Sequence, residues 1–466
     1  MFKYIVLIYF VFLSACNIEN NYETRTDLSN DEIAKTLNLS NQTEDISKEW
    51  FSMFDDKDLN TLLNEAKKSN FTLAQSKEKL LQARYLFLIN SNENLPTLDI
   101  NSQYDFIKSN NSKDFYNNND YFKAGFDVSW ELDLWGKSQN ISKQYRELLN
   151  KAQYSLADTL ISIEGEIINN YVYLRKAQET LRITQKNINL QKEIFDIVHN
   201  KYNIGIEDEL ALNQAEYLLE KTKSSLPNLL SNIENYKNAI AILIGKTPND
   251  LPINLDKTNK NITAKTFKYS VKKLYKIPLD TIRTRPDIKV VEANIKSQNA
   301  VLNQAIINLL PSISLEASFS FLSSSGSNLF STNNQIYGYN PVINIPIWHW
   351  NKLTNNVELQ KHIKEEYMLN YNEAIITAIM ELKNNITNIE QSYKSNTLIK
   401  NSLDKMHNIL MINKDKYKNG LIDYKTLADS EQNLLETEIT YIESNADILK
   451  NITSFYKATG GGYNFR

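Results

Sequence analysis

Residues 201–216 read KYNIGIEDELALNQAE, and residues 416–431 read KYKNGLIDYKTLADSE. Tyr202 aligns with Tyr417, Gly205 with Gly420, Asp208 with Asp423, Leu212 with Leu427 and Glu216 with Glu431, at a constant offset of 215 residues (417 − 202). The offset extends outward. Pro96 falls opposite Pro311, Trp135 opposite Trp350 and Gly245 opposite Gly460. From about residue 70 to residue 460 the halves align without a net gap. One structural unit has been used twice, so each feature that carries function is expected in duplicate.

The repeated string, Tyr-x-x-Gly-x-x-Asp, punctuates two long helical stretches. Residues 137–200 contain no proline and a single glycine, Gly165, and residues 352–418 repeat the pattern. At a rise of ~1.5 Å per residue the first spans about 95 Å. That length calls for lateral packing in a coiled coil or a large helical barrel rather than around a compact core. Gly205 and Gly420 suit the left-handed residue that ends a helix, and Asp208 and Asp423 suit the cap of the next. Each string therefore predicts a tight helix hairpin, with return helices over 209–245 and 424–460. Pro227 should kink the first return; its counterpart, Ile442, should not.

Upstream of each long helix the period changes from helical to two. Leu59, Leu62, Leu63 and Ala66 recur at helical spacing, with Leu73, Leu80, Ala83 and Phe87 continuing the stripe to about residue 94. After Pro96, Leu98, Ile100, Tyr104 and Phe106 alternate with Asp99, Asn101, Gln103 and Asp105. Residues 108–120 are a polar loop, and then Phe122, Ala124, Phe126, Val128, Trp130, Leu132 and Leu134 alternate with polar partners. The second copy alternates Ile313, Leu315, Ala317, Phe319 and Phe321 with Ser312, Ser314, Glu316, Ser318 and Ser320, then continues through Tyr337, Tyr339, Ile343, Ile345 and Ile347. Pro341 and Pro346 mark the last strand as an edge, a bulge or an early end. Each strand has the ~9–11 residues that cross a bilayer at a tilt. Trp130, Trp135, Trp348 and Trp350 lie where the hairpins return, as an interfacial girdle does. Ordinary half-buried soluble sheets are the other reading. On the membrane reading Asp99, Asp105, Asp127, Glu131, Asp133 and Glu316 face a lumen and outnumber Lys123, which predicts cation preference.

The first residues carry one charge, Lys3, followed by an apolar run from Ile5 to Leu13 and then Leu13-Ser14-Ala15-Cys16. The run is too short for a permanent spanning helix and has the layout of a secretory signal. Leu-Ser-Ala-Cys resembles the bacterial lipobox, in which the cysteine is lipidated and the chain cleaved before it. Asn17 in the following position favours the outer membrane by the sorting rule of such lipoproteins. Cys16 is the single cysteine in 466 residues, so stability must come from packing or assembly.

The chain thus divides into a signal (1–15), a lipidated tether and wrap (16–50), a first repeat (51–245), a linker with Pro248, Pro252 and Pro278 (246–284), a second repeat (285–460) that begins Arg285-Pro286-Asp287-Ile288, and a tail (461–466). A net charge of −3 gives no basic footprint for nucleic acid. His199, His349, His362 and His407 are scattered, and no metal spacing, phosphate loop or nucleophile setting is present. The expectation is a non-enzyme with no cofactor beyond a covalent lipid on Cys16.

Lipobox, hairpin, long helix, glycine-tipped turn and return helix, all doubled, resemble the outer-membrane factor family, the exit ducts of efflux pumps and type I secretion. The resemblance rests most on Arg285-Pro286-Asp287-Ile288, on Trp135-Gly136-Lys137 and on the two tip strings. It implies an α+β membrane protein: a long α-helical periplasmic barrel plus four transmembrane β-strands per chain, closing as a 12-stranded barrel in a homotrimer. Residues 17–50 and 246–284 then form a belt, reduced where the chain stops at Arg466. The resemblance further implies a periplasmic adaptor and an inner-membrane transporter as partners. The tips, through Tyr202, Gly205, Asp208, Tyr417, Gly420 and Asp423, then touch the adaptor. It also places a resting gate on the second return helix. Asp429 matches the family's gate aspartate, whereas Lys425 stands where the family has leucine. Lys425 and Asp429 are at i and i+4 and suit a charged ring rather than an apolar plug. A competing reading is a coiled-coil structural lipoprotein anchored to the outer membrane that forms no channel.

Overall fold

The computed structural model describes residues 51, 54–91, 93–107, 119–256 and 280–462. The expected signal, Cys16, the tether, most of the 108–120 loop, most of the linker and the end of the tail lie outside the described residues. The chain forms two compact units, one holding Glu78–Gln153 and Val290–Asn372, the other Tyr154–Lys289 and Glu373–Arg466 with the first helices up to Lys77.

The first unit is built on an antiparallel sheet of β1 (Thr97–Ile107), β2 (Asn119–Glu131), β3 (Ser312–Ser323) and β4 (Gln335–Asn344), in that spatial order. The register sorts the side chains into two faces, because side chains alternate along a strand. One row runs Ile100, Phe126, Phe319, Tyr337, and the next Leu98, Val128, Ala317, Tyr339. The opposite face carries Asp99, Asp127, Ser318, Gly338 and Thr97, Ser129, Glu316, Asn340. The apolar face is left open: Ile100 is 76% and Tyr337 80% exposed. At Gly125 a Cβ would lie 2.3 Å from the Phe319 carbonyl oxygen, so only glycine permits β3 to approach β2 there. β4 is an edge strand and ends before Pro346, in line with the prolines that flag it.

Two sequence expectations change here. β2 ends at Glu131, and Asp133 does not continue it. The Asp133 carboxylate accepts the backbone N–H groups of Ser138 (3.1 Å) and Gln139 (3.2 Å), capping the first turn of α3 (Lys137–Asn203). Trp135 is half-buried, not part of an exposed girdle, and its indole N–H donates to the Pro311 carbonyl at 2.7 Å. Trp348, by contrast, is fully exposed. Elsewhere in the first unit, α6 (Pro286–Ile307) meets its neighbours through amides. Asn303 donates to Asn140 (3.2 Å), Gln304 to Gln144 (2.9 Å) and Gln298 to Gln360 (2.7 Å).

In the second unit the predicted N-terminal helix is two helices, α1 (Lys57–Ser69) and α2 (Phe71–Asn90), the latter running on into the first unit. Asn70 leaves the helical region (ψ 124°), and its side-chain oxygen takes the N–H of Leu73 at 2.8 Å to start α2. The stripe Leu59, Leu62, Leu63 and Ala66 is buried as the spacing predicts. Each leucine contributes roughly 1.5–3 kcal/mol of burial. The first return is broken into α4 (Glu209–Lys223) and α5 (Leu226–Leu243), with Pro227 in the first turn of α5. The proline ring excludes the carbonyl of Lys223, four residues back, from a helical bond. The second return is one uninterrupted helix, α8 (Tyr424–Ala458), following α7 (Trp350–Lys418). The kink is therefore where Pro227 puts it and absent at Ile442.

The paired helix-hairpin tips

Both tips close by the same six-residue geometry. Gly205 has φ 74° and Gly420 φ 71°. Gly205 N–H donates to the Tyr202 carbonyl (2.9 Å) and Ile206 N–H to Lys201 (2.9 Å); Gly420 donates to Tyr417 (3.1 Å) and Leu421 to Lys416 (2.9 Å). These crossed bonds consume the last carbonyls of α3 and α7 and require a left-handed residue, which glycine supplies without strain. Asp208 accepts the Ala211 N–H at 2.8 Å, and Asp423 accepts the Thr426 N–H at 2.9 Å and its hydroxyl at 2.6 Å. The Thr426 hydroxyl, and after it the Thr426 N–H, hold the Asp423 carboxyl below its ordinary range.

Beneath the turns the four hairpin helices form one core of Ile194 and Val198 from α3, Ala211 and Ala215 from α4, Leu410 and Tyr417 from α7, and Tyr424, Leu427 and Leu434 from α8. The predicted tip tyrosines part company here. Tyr202 is exposed, but Tyr417 is 2% exposed and belongs to that core, so it is not a surface contact. Lys201 explains the difference: its ammonium lies 4.0 Å from the centre of the Tyr417 ring and donates to the Tyr417 carbonyl at 2.9 Å. The equivalent Lys416 is exposed. Burial, and after it the nearby Glu207 carboxylate, push the Tyr417 hydroxyl's ionisation up.

Lys425 and Asp429 are both exposed on α8, while their counterparts are Leu210 and Gln214 on α4. Among the described residues no ion pair joins Lys425 to Asp429, and Lys425 instead lends its charge to Asp423. What sequence reading missed at the tips is apolar: Ile204, Ile206, Leu210 and Leu421 are each more than half exposed. The signal was present as Ile204 and Ile206 beside Gly205 and Leu421 beside Gly420, where turn chemistry alone asks for polar residues.

The Arg285-Pro286-Asp287 string sits elsewhere in the same unit and has a structural role. Pro286 is the first residue of α6, and Arg285 grips Asp287 (2.6 Å), Glu381 (2.9 Å) and the carbonyl of Ala458 at the end of α8 (3.0 Å).

Known proteins match this architecture. The model of the family described as "Outer membrane efflux protein" matches residues 62–246 and 278–461, one segment per repeat. The cation efflux system protein CusC of Escherichia coli is 24% identical over 417 residues, covering 89% of this chain and 88% of that protein. The solvent efflux pump outer membrane protein SrpC of Pseudomonas putida is 25% identical over 427 residues, covering 90% and 87%. The solved structure of the outer-membrane channel OprN superposes with a TM-score of 0.86 at 22% identity, covering 96% of this chain and all of that one. The doubled helix hairpin, the two-faced sheet and the family match over both repeats have one conclusion: this chain belongs to the outer membrane efflux protein family.

Proposed function

We propose that the chain works as a homotrimer whose sheets close into one 12-stranded barrel and whose helices enclose one tunnel through which cargo leaves the periplasm. The observation that carries this is the two-faced sheet with open edges. β1 and β4 each have one unpaired side, and the apolar face is uncovered. In lipid an unpaired strand edge leaves backbone groups unsatisfied, at several kcal/mol each, so the sheet must close on other copies. The competing structural lipoprotein has use for the helices but none for such a sheet.

The tips then serve as gate and dock. Asp429 and Lys425 form the constriction on the second return helix. The adaptor meets Tyr202, Gly205, Gly420 and the exposed Ile204, Ile206 and Leu421, with Asp208 and Asp423 shaping the turns. A lipid on Cys16 anchors the chain beside the barrel, and an inner-membrane transporter supplies the energy. The efflux relatives carry names for cations and for solvents, which suits a duct whose cargo is chosen by the pump rather than by its own wall. Purified protein run on gels with and without boiling, with native mass measurement, tests the assembly. A heat-resistant trimer is expected; a monomer in detergent and in membranes contradicts it.

A further inference from the structure

The fifth matched pair of the repeat, Glu216 and Glu431, has no part in the tip turns, and its members have opposite surroundings. Glu216 is exposed on α4; Glu431 is 0% exposed on α8. It stands one turn from Leu427 on one side and from Leu434 on the other, and both leucines belong to the four-helix tip core. Neither carboxylate oxygen meets a hydrogen-bond partner among the described residues. An ionised carboxylate in that setting is strongly disfavoured, whereas a protonated one packs much as a glutamine does.

We propose that Glu431 is a protonation latch on the second return helix: protonated, it lets α8 pack into the tip core; ionised, it draws in water and loosens α8 together with Asp429 on the same helix. Its role is that of a positioning residue, since Asp429 rather than Glu431 faces outward.

The surroundings decide the sign. α7 presents Lys414, whose ammonium is 3.7 Å from Glu193 of α3, and the buried Tyr417. α3 otherwise offers Ile194 and Val198, and α4 offers Ala211 and Ala215. On α8 itself Tyr424 lies about two turns below and Glu438 about two turns above, the latter 3.7 Å from His407 of α7. Among the described residues Lys414 is the one cation that favours the ionised form, and burial outweighs it, raising the Glu431 carboxyl from 4.5 to about 8. Between those values the packed state holds a proton that the hydrated state has released. Packing therefore weakens as pH rises through that window and stops changing above about 8. The loosened-to-packed ratio rises by at most about tenfold per pH unit.

The proposal rests on the gate reading only for its effect on conductance, so two readouts are needed on the full-length protein. Hydrogen-exchange protection of residues 424–434, corrected for intrinsic rates, should fall with rising pH in the wild type and stay at its acid-limit value in Glu431→Gln. Conductance in planar bilayers should rise over the same pH range in the wild type and be flat in Glu431→Gln. Flat wild-type protection, or the same slope in Glu431→Gln, overturns the latch. If the glutamine variant does not assemble, the wild-type protection profile alone decides: falling supports the latch, flat overturns it. A protection slope that depends on Glu431, with conductance indifferent to both Glu431 and Asp429, upholds the latch and rejects the gate.

Discussion

Arg285 holds the end of the helix that finishes at Ala458: its guanidinium donates to the Ala458 carbonyl at 3.0 Å. One repeat earlier Asn70 does the same, donating from its side-chain amide to the Leu243 carbonyl at 2.6 Å. The pairs are related by the same 215-residue offset (285 − 70 and 458 − 243). Gly245 and Gly460 follow each held carbonyl with φ 65° and 74°, and a Cβ on Gly245 would lie 2.1 Å from the Ser69 carbonyl oxygen. Each repeat is therefore tied shut where its return helix meets the start of α2 or of α6, by an amide in one copy and a guanidinium in the other.

The two ties differ in strength. Arg285→Ala removes a buried charge from Asp287 and Glu381, which are 43% and 49% exposed, and leaves the Ala458 carbonyl unpaired. Solvent softens the loss, so the expected destabilisation is about 2–3 kcal/mol. Asn70→Ala should cost about 1–2 kcal/mol. Thermal or denaturant unfolding of the purified variants should rank them in that order. The reverse order means that the guanidinium tie is dispensable.

At the tips, a Cβ on Gly205 or Gly420 meets nothing within 4 Å, so alanine is opposed only by the positive φ. The expected cost is about 1–2 kcal/mol for each turn, with assembly retained. If the turns dock the adaptor, Gly420→Cys should cross-link to it in membranes and reduce export without reducing trimer yield. Loss of trimers would assign Gly420 a purely structural role.

The sheet faces can be told apart by charge. Phe126 lies in the apolar row between Ile100 and Phe319. Phe126→Arg should destabilise the barrel by about 2–4 kcal/mol if that row sits near the bilayer midplane. Ser318→Arg, on the polar face beside Asp127, should leave assembly intact. Gel mobility of unboiled samples reads both. Equal tolerance at the two positions contradicts the assigned faces.

Selectivity should follow the polar face. Asp99 and Asp127 are directly paired across β1 and β2, and Glu316 lies on the same face, while Glu131 is engaged by Lys137 at 3.0 Å and Asp133 by the start of α3. Reversal potentials should show cation preference, reduced in Asp99→Asn with Asp127→Asn. Anion preference in the wild type excludes this lining.

Features with a local cause were legible in advance. Period-two alternation gave away β1 at Thr97–Ile107, and glycine followed by aspartate three residues on gave away both turns. Pro227 marked its own break. Features set by a partner element were not legible. Asn70 interrupts a helical pattern because α5 offers it the Leu243 carbonyl. Asp133 continues the strand alternation in sequence but is drawn to the N–H groups of α3. Tyr417 and Tyr202 occupy equivalent places in the repeat, and contacts with Lys201 and with the tip core separate their fates. Glu431 looks like one more charge on a helix face until the packing of the tip buries it completely.

Assembly into a conducting tunnel narrowed at the second return helix has a direct electrical signature. Single-channel recording of wild type and Asp429→Ala side by side in planar bilayers tests it most directly. The wild type should show a discrete cation-preferring conductance and the variant a larger resting conductance. Absence of any channel from assembled wild-type protein, or identical conductances in the two, would contradict it.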